Sequence, residues 1–361
     1  MPEPFKNQFN TKLVSELADA VVKEYPAFNK KAFLGKVFND EWEEKELKNR
    51  MRHISTSLNV VMDLPYEKSI KILKKISPQF NGWTSIVLCD FVEVNGLNNL
   101  KESIEAMELF TKRSSAEFAV RPFIIKYPDK MMGQMLKWSE HENHHVRRLS
   151  SEGCRPRLPW AMALTIFKVN PQPIIPILEN LKNDDSEYVR KSVANNLNDI
   201  SKDNPKLVLK IAKNWIGSSG KTDWIIKHGC RTLLKNGNEV ALSLFDVSKK
   251  IKIAVDNLTI DKKELKIGDV NSFSYKLTSL EKQKKKIRLE YRVDYVNSSG
   301  GTSKKIFKIG EFEMLPSESR DIKKNQHFKD VSIRTHYPGK HKITIIINGI
   351  EHGFVLFNLI K

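Results

Sequence analysis

Asn143-His144-His145-Val146-Arg147-Arg148 has an echo 43 residues further on, in Ser186-Glu187-Tyr188-Val189-Arg190-Lys191. Each stretch opens on a side chain suited to capping a helix and then runs into Val-Arg and a second cation. Helical pairs of roughly 40–47 residues stack into solenoids and repeat at this interval. Trp224-Ile225-Ile226-Lys227-His228 is a fainter third copy. Stacking the second helix of each pair builds a wall, and each copy places an Arg or Lys on it.

The flanking sequence extends this pattern. Over residues 10–235 apolar side chains recur at helical spacing: Leu13, Leu17, Ala20 and Val21; Ile70, Leu73 and Ile76; Ile104, Met107, Leu109 and Phe110. Breakers punctuate the train at Tyr25-Pro26, Leu64-Pro65, Asn81-Gly82, Asn95-Gly96, Tyr127-Pro128, Asn170-Pro171 and Asn204-Pro205. After about residue 245 the period changes to two, as in Ile287-Arg288-Leu289-Glu290-Tyr291-Arg292-Val293 and His341-Lys342-Ile343-Thr344-Ile345-Ile346-Ile347. Turns at Asn297–Gly301, Pro338-Gly339 and Asn348-Gly349 separate the runs. The expected architecture is an α-helical HEAT-like repeat solenoid over residues 1–242, followed over residues 243–361 by an all-β immunoglobulin-like sandwich of about seven strands.

Charge points to the partner. The chain of 361 residues carries a formal net charge of +18, and residues 241–361 hold 24 Lys and Arg against 14 Asp and Glu. Such a balance calls for a polyanion, with nucleic acid the commonest. No run approaches 18 apolar residues, so no membrane span is expected, and residues 1–20 lack the apolar core of a signal peptide. Three cysteines, Cys89, Cys154 and Cys230, show no paired spacing, which suits a reducing cytoplasm.

The densest chemistry lies in HENHHVRRLSSEGCRPRLPW, residues 141–160. Its first five letters match the zinc motif H-E-x-x-H, which works only when both histidines share one continuous helix. Asn143, the expected cap of a helix beginning at His144, interrupts that face. Gly153 is expected to end the helix, leaving Glu152 at a C-terminus, where the helix dipole disfavours a carboxylate. Glu152 therefore needs an arginine partner or a task, and Arg147, Arg148, Arg155 and Arg157 stand nearby with Trp160. On composition alone the same residues serve equally as an Arg–Glu network stapling adjacent repeats. Glu117, in Ser115-Ala116-Glu117-Phe118, fits the first turn of an apolar helix. Arg190 and Asp199 lie nine residues apart in 189–199, on different turns.

AEFAVRPF (116–123), HENHHVRRLSSEGCRPRLPW (141–160) and VRKSVANNLNDISKDNP (189–205) resemble the AlkC branch of the HEAT-like DNA alkylation-repair glycosylases, related to AlkD. The resemblance covers nearly the whole chain, including the C-terminal immunoglobulin-like domain that one subgroup carries. It implies a bacterial, monofunctional DNA glycosylase that hydrolyses the N-glycosidic bond of cationic bases such as 3-methyladenine and 3-methylcytosine in duplex DNA, without turning the lesion into a deep pocket. It further implies that Glu117, Glu152 and Asp199 are the active-site carboxylates, Trp160 the aromatic contact and Arg148 an anchor, with no cofactor and no metal. DNA contacts are expected from His144, Arg148, Arg155, Arg157, Arg190 and Lys191, and from Lys304 and Lys305 on the Asn297–Lys305 hairpin. The expected partner is double-stranded DNA and the expected state a monomer. The competing reading is a non-catalytic nucleic-acid-binding HEAT-repeat scaffold, in which Glu117, Glu152, Asp199 and Trp160 would be dispersed.

Overall fold

A computed structural model describes residues 3–331 and 334–361, and its two regimes follow the two hydrophobic periods. In the helical part the periodic apolar residues turn inward. Leu17, Ala20 and Val21 are buried on the helix Thr11–Glu24, and Ile70, Leu73 and Ile76 on Tyr66–Ile76. Proline sets several boundaries: Val120–Lys126 ends just before Pro128, which opens Pro128–Ser139. Proline tolerates that first turn because its missing N–H would have no partner there. The helices His144–Glu152, Glu187–Ile200 and Gly220–Gly229 pack side by side in that order, so the three sequence echoes form one wall. Among the described residues no helix is long and apolar enough to cross a membrane.

Packing divides the chain into two units. One runs to Pro205 and takes in Gly217–Gly229; the other holds Lys206–Ile216 and Cys230–Lys361. The second contains a sandwich of two sheets built from β1 (Ile253–Ile260), β2 (Glu264–Lys266), β3 (Val270–Ser279), β4 (Lys285–Val296), β5 (Thr302–Met314), β6 (Ser319–His327), β7 (Gly339–Ile347) and β8 (Ile350–Ile360). The sheet orders are β1-β3-β6 and β2-β8-β7-β4-β5. Among the described residues there are thus eight strands rather than about seven. The extra one, β2, has three residues, too few to show alternation, and pairs in parallel with β8.

On β4 the alternation sends Ile287, Leu289, Tyr291, Val293 and Tyr295 into the core with Phe273, Ile345 and Phe357. The other face is not left to solvent, since Arg288 and Glu290 are 4% and 0% exposed. They pair with each other at 2.6 Å, and Arg288 pairs with Glu311 at 2.5 Å. Residues 245–248 are tied to this region: Lys286 Nζ donates to the Phe245 carbonyl and Asn348 Nδ2 to that of Ser248. Gly349 completes the contact. A Cβ built there would fall 2.7 Å from Gly237 Cα, and its φ of +79° disfavours any other residue. Gly349→Ala is expected to lower stability by about 1–3 kcal/mol. Urea unfolding checks this, and an unchanged midpoint would mean the two backbones can separate at no cost.

Candidate active site

Asn143 caps the helix His144–Glu152, its Oδ1 accepting from the His145 N–H at 2.9 Å. His141 therefore lies outside the helix, where its Nδ1 accepts from the Asn143 N–H at 2.8 Å. The two ends of H-E-x-x-H share no helical face. Within the helix, Val146 and Leu149 are buried, and Arg148 and Glu152 stand one turn apart on one side. Glu152 is the last helical residue. Gly153 follows it in right-handed geometry, at φ −62°, so glycine is not needed there for a left-handed turn. It is needed for space: a Cβ would meet Val120 Cγ1 at 2.6 Å and Met135 Cε at 2.9 Å.

This close passage delivers Arg155 to the centre of an ionic chain. Arg148 Nη1 donates to Glu117 Oε2 and, at 2.9 Å, to Ser115 Oγ. Its Nη2 stands 3.4 Å from Glu152 Oε1. Arg155 Nη1 donates to that same oxygen at 2.6 Å, and its Nε donates to Asp199 Oδ2 at 2.9 Å. Lys202 Nζ closes the chain on Asp199 Oδ1 at 3.2 Å. Glu117, Glu152 and Asp199 come from three separate segments and are joined through two guanidinia. Two cations therefore compensate the misplaced carboxylate at the helix C-terminus. Burial opposes charge on both arginines, but Glu152 with Glu117 outweighs it at Arg148, and Glu152 with Asp199 at Arg155, so both pKa values rise. The helices beneath are locked by Ser151 Oγ and Ser192 Oγ at 2.6 Å and by Asn196 Nδ2 donating to the Ser151 carbonyl at 2.7 Å.

Glu117 lies in a turn just before the helix Val120–Lys126 rather than in its first turn. Among the described residues no hydrogen bond joins Trp160 to the carboxylates; its carbonyl accepts from Lys48. It sits on the loop after Arg155, 67% exposed, with φ +64°. Such a conformation in a bulky residue persists only where its surroundings impose it.

The other expected DNA contacts are scattered more widely. His144 is exposed beside His145 and Tyr188. Arg157 forms a two-pronged pair with Asp203, and Lys191 pairs with Glu187 at 2.7 Å. Arg190 Nη1 donates to the carbonyls of Asp184 and Asp185, as Arg147 Nη1 does to those of His141 and Glu142. The matched offsets, five and six residues back, make these two arginines the same repeat feature: each stitches the loop that leads into its helix. Lys304 and Lys305 are exposed on β5, opposite Asp294 and Val293 of β4.

A family model for DNA alkylation repair enzymes matches residues 101–233, and one described as the C-terminal Ig-like domain of the uncharacterised protein YhaZ matches residues 254–361. The chain is 45% identical over 344 residues to YhaZ of Bacillus subtilis (strain 168), covering 95% of this chain and 96% of that protein. It is similar also to the solved structure of Pseudomonas fluorescens alkylpurine DNA glycosylase AlkC bound to DNA containing an abasic site analog. There the identity is 36% and the TM-score 0.95, covering 99% of this chain and 100% of that one. The chain belongs to the AlkC family of DNA alkylation-repair enzymes. Its helical repeats and Ig-like domain are those of the AlkC fold.

Several residues around the candidate site are brought there only by the fold of this AlkC-family chain. Tyr188 packs under Arg148, with the guanidinium 4.9 Å from its ring centre, and beside His145 at 5.8 Å. Its position matches that of His145 in the preceding repeat, a signal visible in the echo itself. Arg121 is fully buried on an otherwise apolar helix face, which is also a legible signal. It donates from Nη1 to the carbonyls of Gly153 and Arg155, both at 2.9 Å, and from Nε to that of Met162 at 2.8 Å. Lys48 reaches the Trp160 carbonyl at 2.6 Å from 112 residues away, and nothing in the sequence announces it.

Proposed function

We propose that the chain is a monofunctional DNA glycosylase that hydrolyses the N-glycosidic bond of cationic alkylated bases, 3-methyladenine and 3-methylcytosine, in duplex DNA. The observation that carries this is the convergence of Glu117, Glu152 and Asp199 on one chain of ion pairs, with Glu152 and Asp199 at 5% and 3% exposure. A phosphate-binding surface gains nothing from three acids in one place. A glycosidic bond that breaks to leave positive charge on deoxyribose does.

An alkylated base already carries positive charge, so it departs with the bonding electron pair as a neutral molecule and needs little help from a general acid. The burden falls on the sugar. Glu117 Oε1 and Glu152 Oε2 accept no hydrogen bond among the described residues, because the pairings use the other oxygen of each. Those oxygens are available to the developing cation. Asp199 is held by Arg155 on one side and, on the other, by Lys202, whose side chain is 39% exposed. Displacing Lys202 frees Oδ1 to orient a water and take its proton as the hydroxyl adds to C1′, leaving an abasic site. Trp160 offers its indole to the charged base, an attraction of about 0.5–2 kcal/mol that a neutral base largely lacks. An indole exposed on a surface loop supports reading the lesion without turning it into a deep pocket.

In this reading residues 1–242 excise the base and residues 243–361 add a second grip on the duplex, as a monomer in the bacterial cytoplasm. Burial lowers the Lys305 pKa most, and the neighbouring cations Arg334 and Lys235 lower it further. Replacing Lys304 and Lys305 by Ala is expected to weaken duplex binding and to lower the slope of log affinity against log salt by about 2. Equilibrium binding over about 50–200 mM salt tests this; an unchanged slope would remove both lysines from the interface.

The decisive experiment measures free 3-methyladenine and 3-methylcytosine released from methylated duplex DNA by the full chain. Release at rates far above the spontaneous one is expected. Duplex binding without release would leave a non-catalytic nucleic-acid-binding scaffold.

A further inference from the structure

Trp160 poses a problem of placement. Its backbone has φ +64°, a region a bulky residue rarely adopts, and its indole is 67% exposed, so no core packing holds it there. The turn is held by its carbonyls. Lys48 Nζ, on the helix Leu47–Met62, donates to the Trp160 carbonyl at 2.6 Å while lying 5.1 Å from the centre of the Phe118 ring. Two residues on, the Met162 carbonyl takes Arg121 Nε at 2.8 Å. Arg121 Nη1 grips the same loop at its start, through Gly153 and Arg155, the latter being the residue that bridges Glu152 and Asp199.

Arg121 is 0% exposed, and among the described residues it forms no ion pair with a carboxylate, Asp199 and Glu117 favouring its charge only from further off. Burial, the largest influence, lowers its pKa to about 10. Its Nη2 has no hydrogen-bond partner among the described residues. Burying a guanidinium this way is costly, and its bonds go to three loop carbonyls. Phe118 adjoins Glu117, so Lys48 touches both the carboxylate segment and the aromatic loop.

We propose that Lys48 and Arg121 are positioning residues that clasp the 153–162 loop, hold Trp160 in its left-handed turn and so fix the indole relative to the three carboxylates. This rests on the reading of Trp160 as the contact to the cationic base. It assigns a specificity role to a lysine that an electrostatic survey would count as one more phosphate contact. Loss of Lys48 lets the turn relax, and the indole then leaves the position from which it favours a charged base.

Lys48 is exposed, so Lys48→Met removes the clasp with little risk to the fold. The experiment compares wild type, Lys48→Met, Trp160→Ala and the double variant in single-turnover release of 3-methyladenine at saturating enzyme, with duplex affinity measured across salt. Each single variant is expected to slow release on the order of 5- to 30-fold. The double variant should be no slower than the worse single within about twofold, because both changes remove one interaction. The salt slope of Lys48→Met should match wild type. Multiplying effects, or a shallower slope with an unchanged release rate, would make Lys48 a phosphate contact and overturn the clasp. Wild-type release by Trp160→Ala would remove the base contact and the clasp together, while Glu152→Gln would still report on the glycosylase reading. Arg121→Lys, checked for folding by urea unfolding, provides the second arm: a loss of release that is non-additive with Trp160→Ala is expected, and unaltered release would exclude Arg121.

Discussion

Glu152→Gln is expected to slow base release by about 10²–10³-fold while leaving duplex affinity within a few-fold of wild type. Glutamine keeps the shape of the side chain and one acceptor oxygen, so Arg155 Nη1, now at 2.6 Å from Oε1, still finds a partner. In the proposed mechanism, what disappears is the negative charge beside the developing sugar cation. Removing one fixed electrostatic contribution from a water-poor site costs this order of rate in other enzymes. Asp199→Asn should lose a similar factor, and more at limiting water activity if Asp199 also takes the proton. Single-turnover release at equal DNA occupancy is the measurement. A loss below about tenfold for both variants would mean that the carboxylates brace the arginines and that rate enhancement comes from elsewhere.

Arg155→Met is expected to be the most destabilising single change at the site, at about 3–5 kcal/mol. Methionine fills part of the volume but leaves two carboxylates without their guanidinium, and the side chains of Glu152 and Asp199 are only 7% and 4% exposed. Water cannot reach them well enough to replace the lost hydrogen bonds. Arg157→Met is the control on the same loop. Its pair with Asp203 is at the surface, 37% and 27% exposed, and its removal should cost less than about 1 kcal/mol. Urea unfolding of the two variants gives the comparison. Equal midpoints would show that the Arg155 pair is solvated in solution and that the ionic chain is not a rigid unit.

The ionic chain also explains which parts of the site could be read in advance. Glu152 stood out because a carboxylate at a helix C-terminus is electrostatically misplaced, and the structure resolves the conflict with Arg148 and Arg155. Glu117 and Asp199 had no such local anomaly; only the family resemblance singled them out. Arg190 carried the opposite risk. As a cation in a repeat echo it suggested a DNA contact, and its Nη1, like that of Arg147, is already engaged by the loop preceding its own helix. A sequence shows that a charge is present but not how much of its hydrogen-bonding capacity the fold has already used.

The sequence by itself determined what depends on neighbours along the chain. Period 3.6 with proline breaks made helices before about residue 245, and period two with glycine turns made strands after it. Asn143 capped a helix and so dismantled the apparent zinc motif. These outcomes are local because helix and strand hydrogen bonds, caps and turns involve residues a few positions apart. Tertiary structure alone decided what depends on residues far apart: that Lys48 reaches Trp160, that Gly153 is glycine for space rather than handedness, that β4 buries its charged face, and that three carboxylates share two arginines. Those are matters of distance and exclusion of water, and both are set only when separate segments pack.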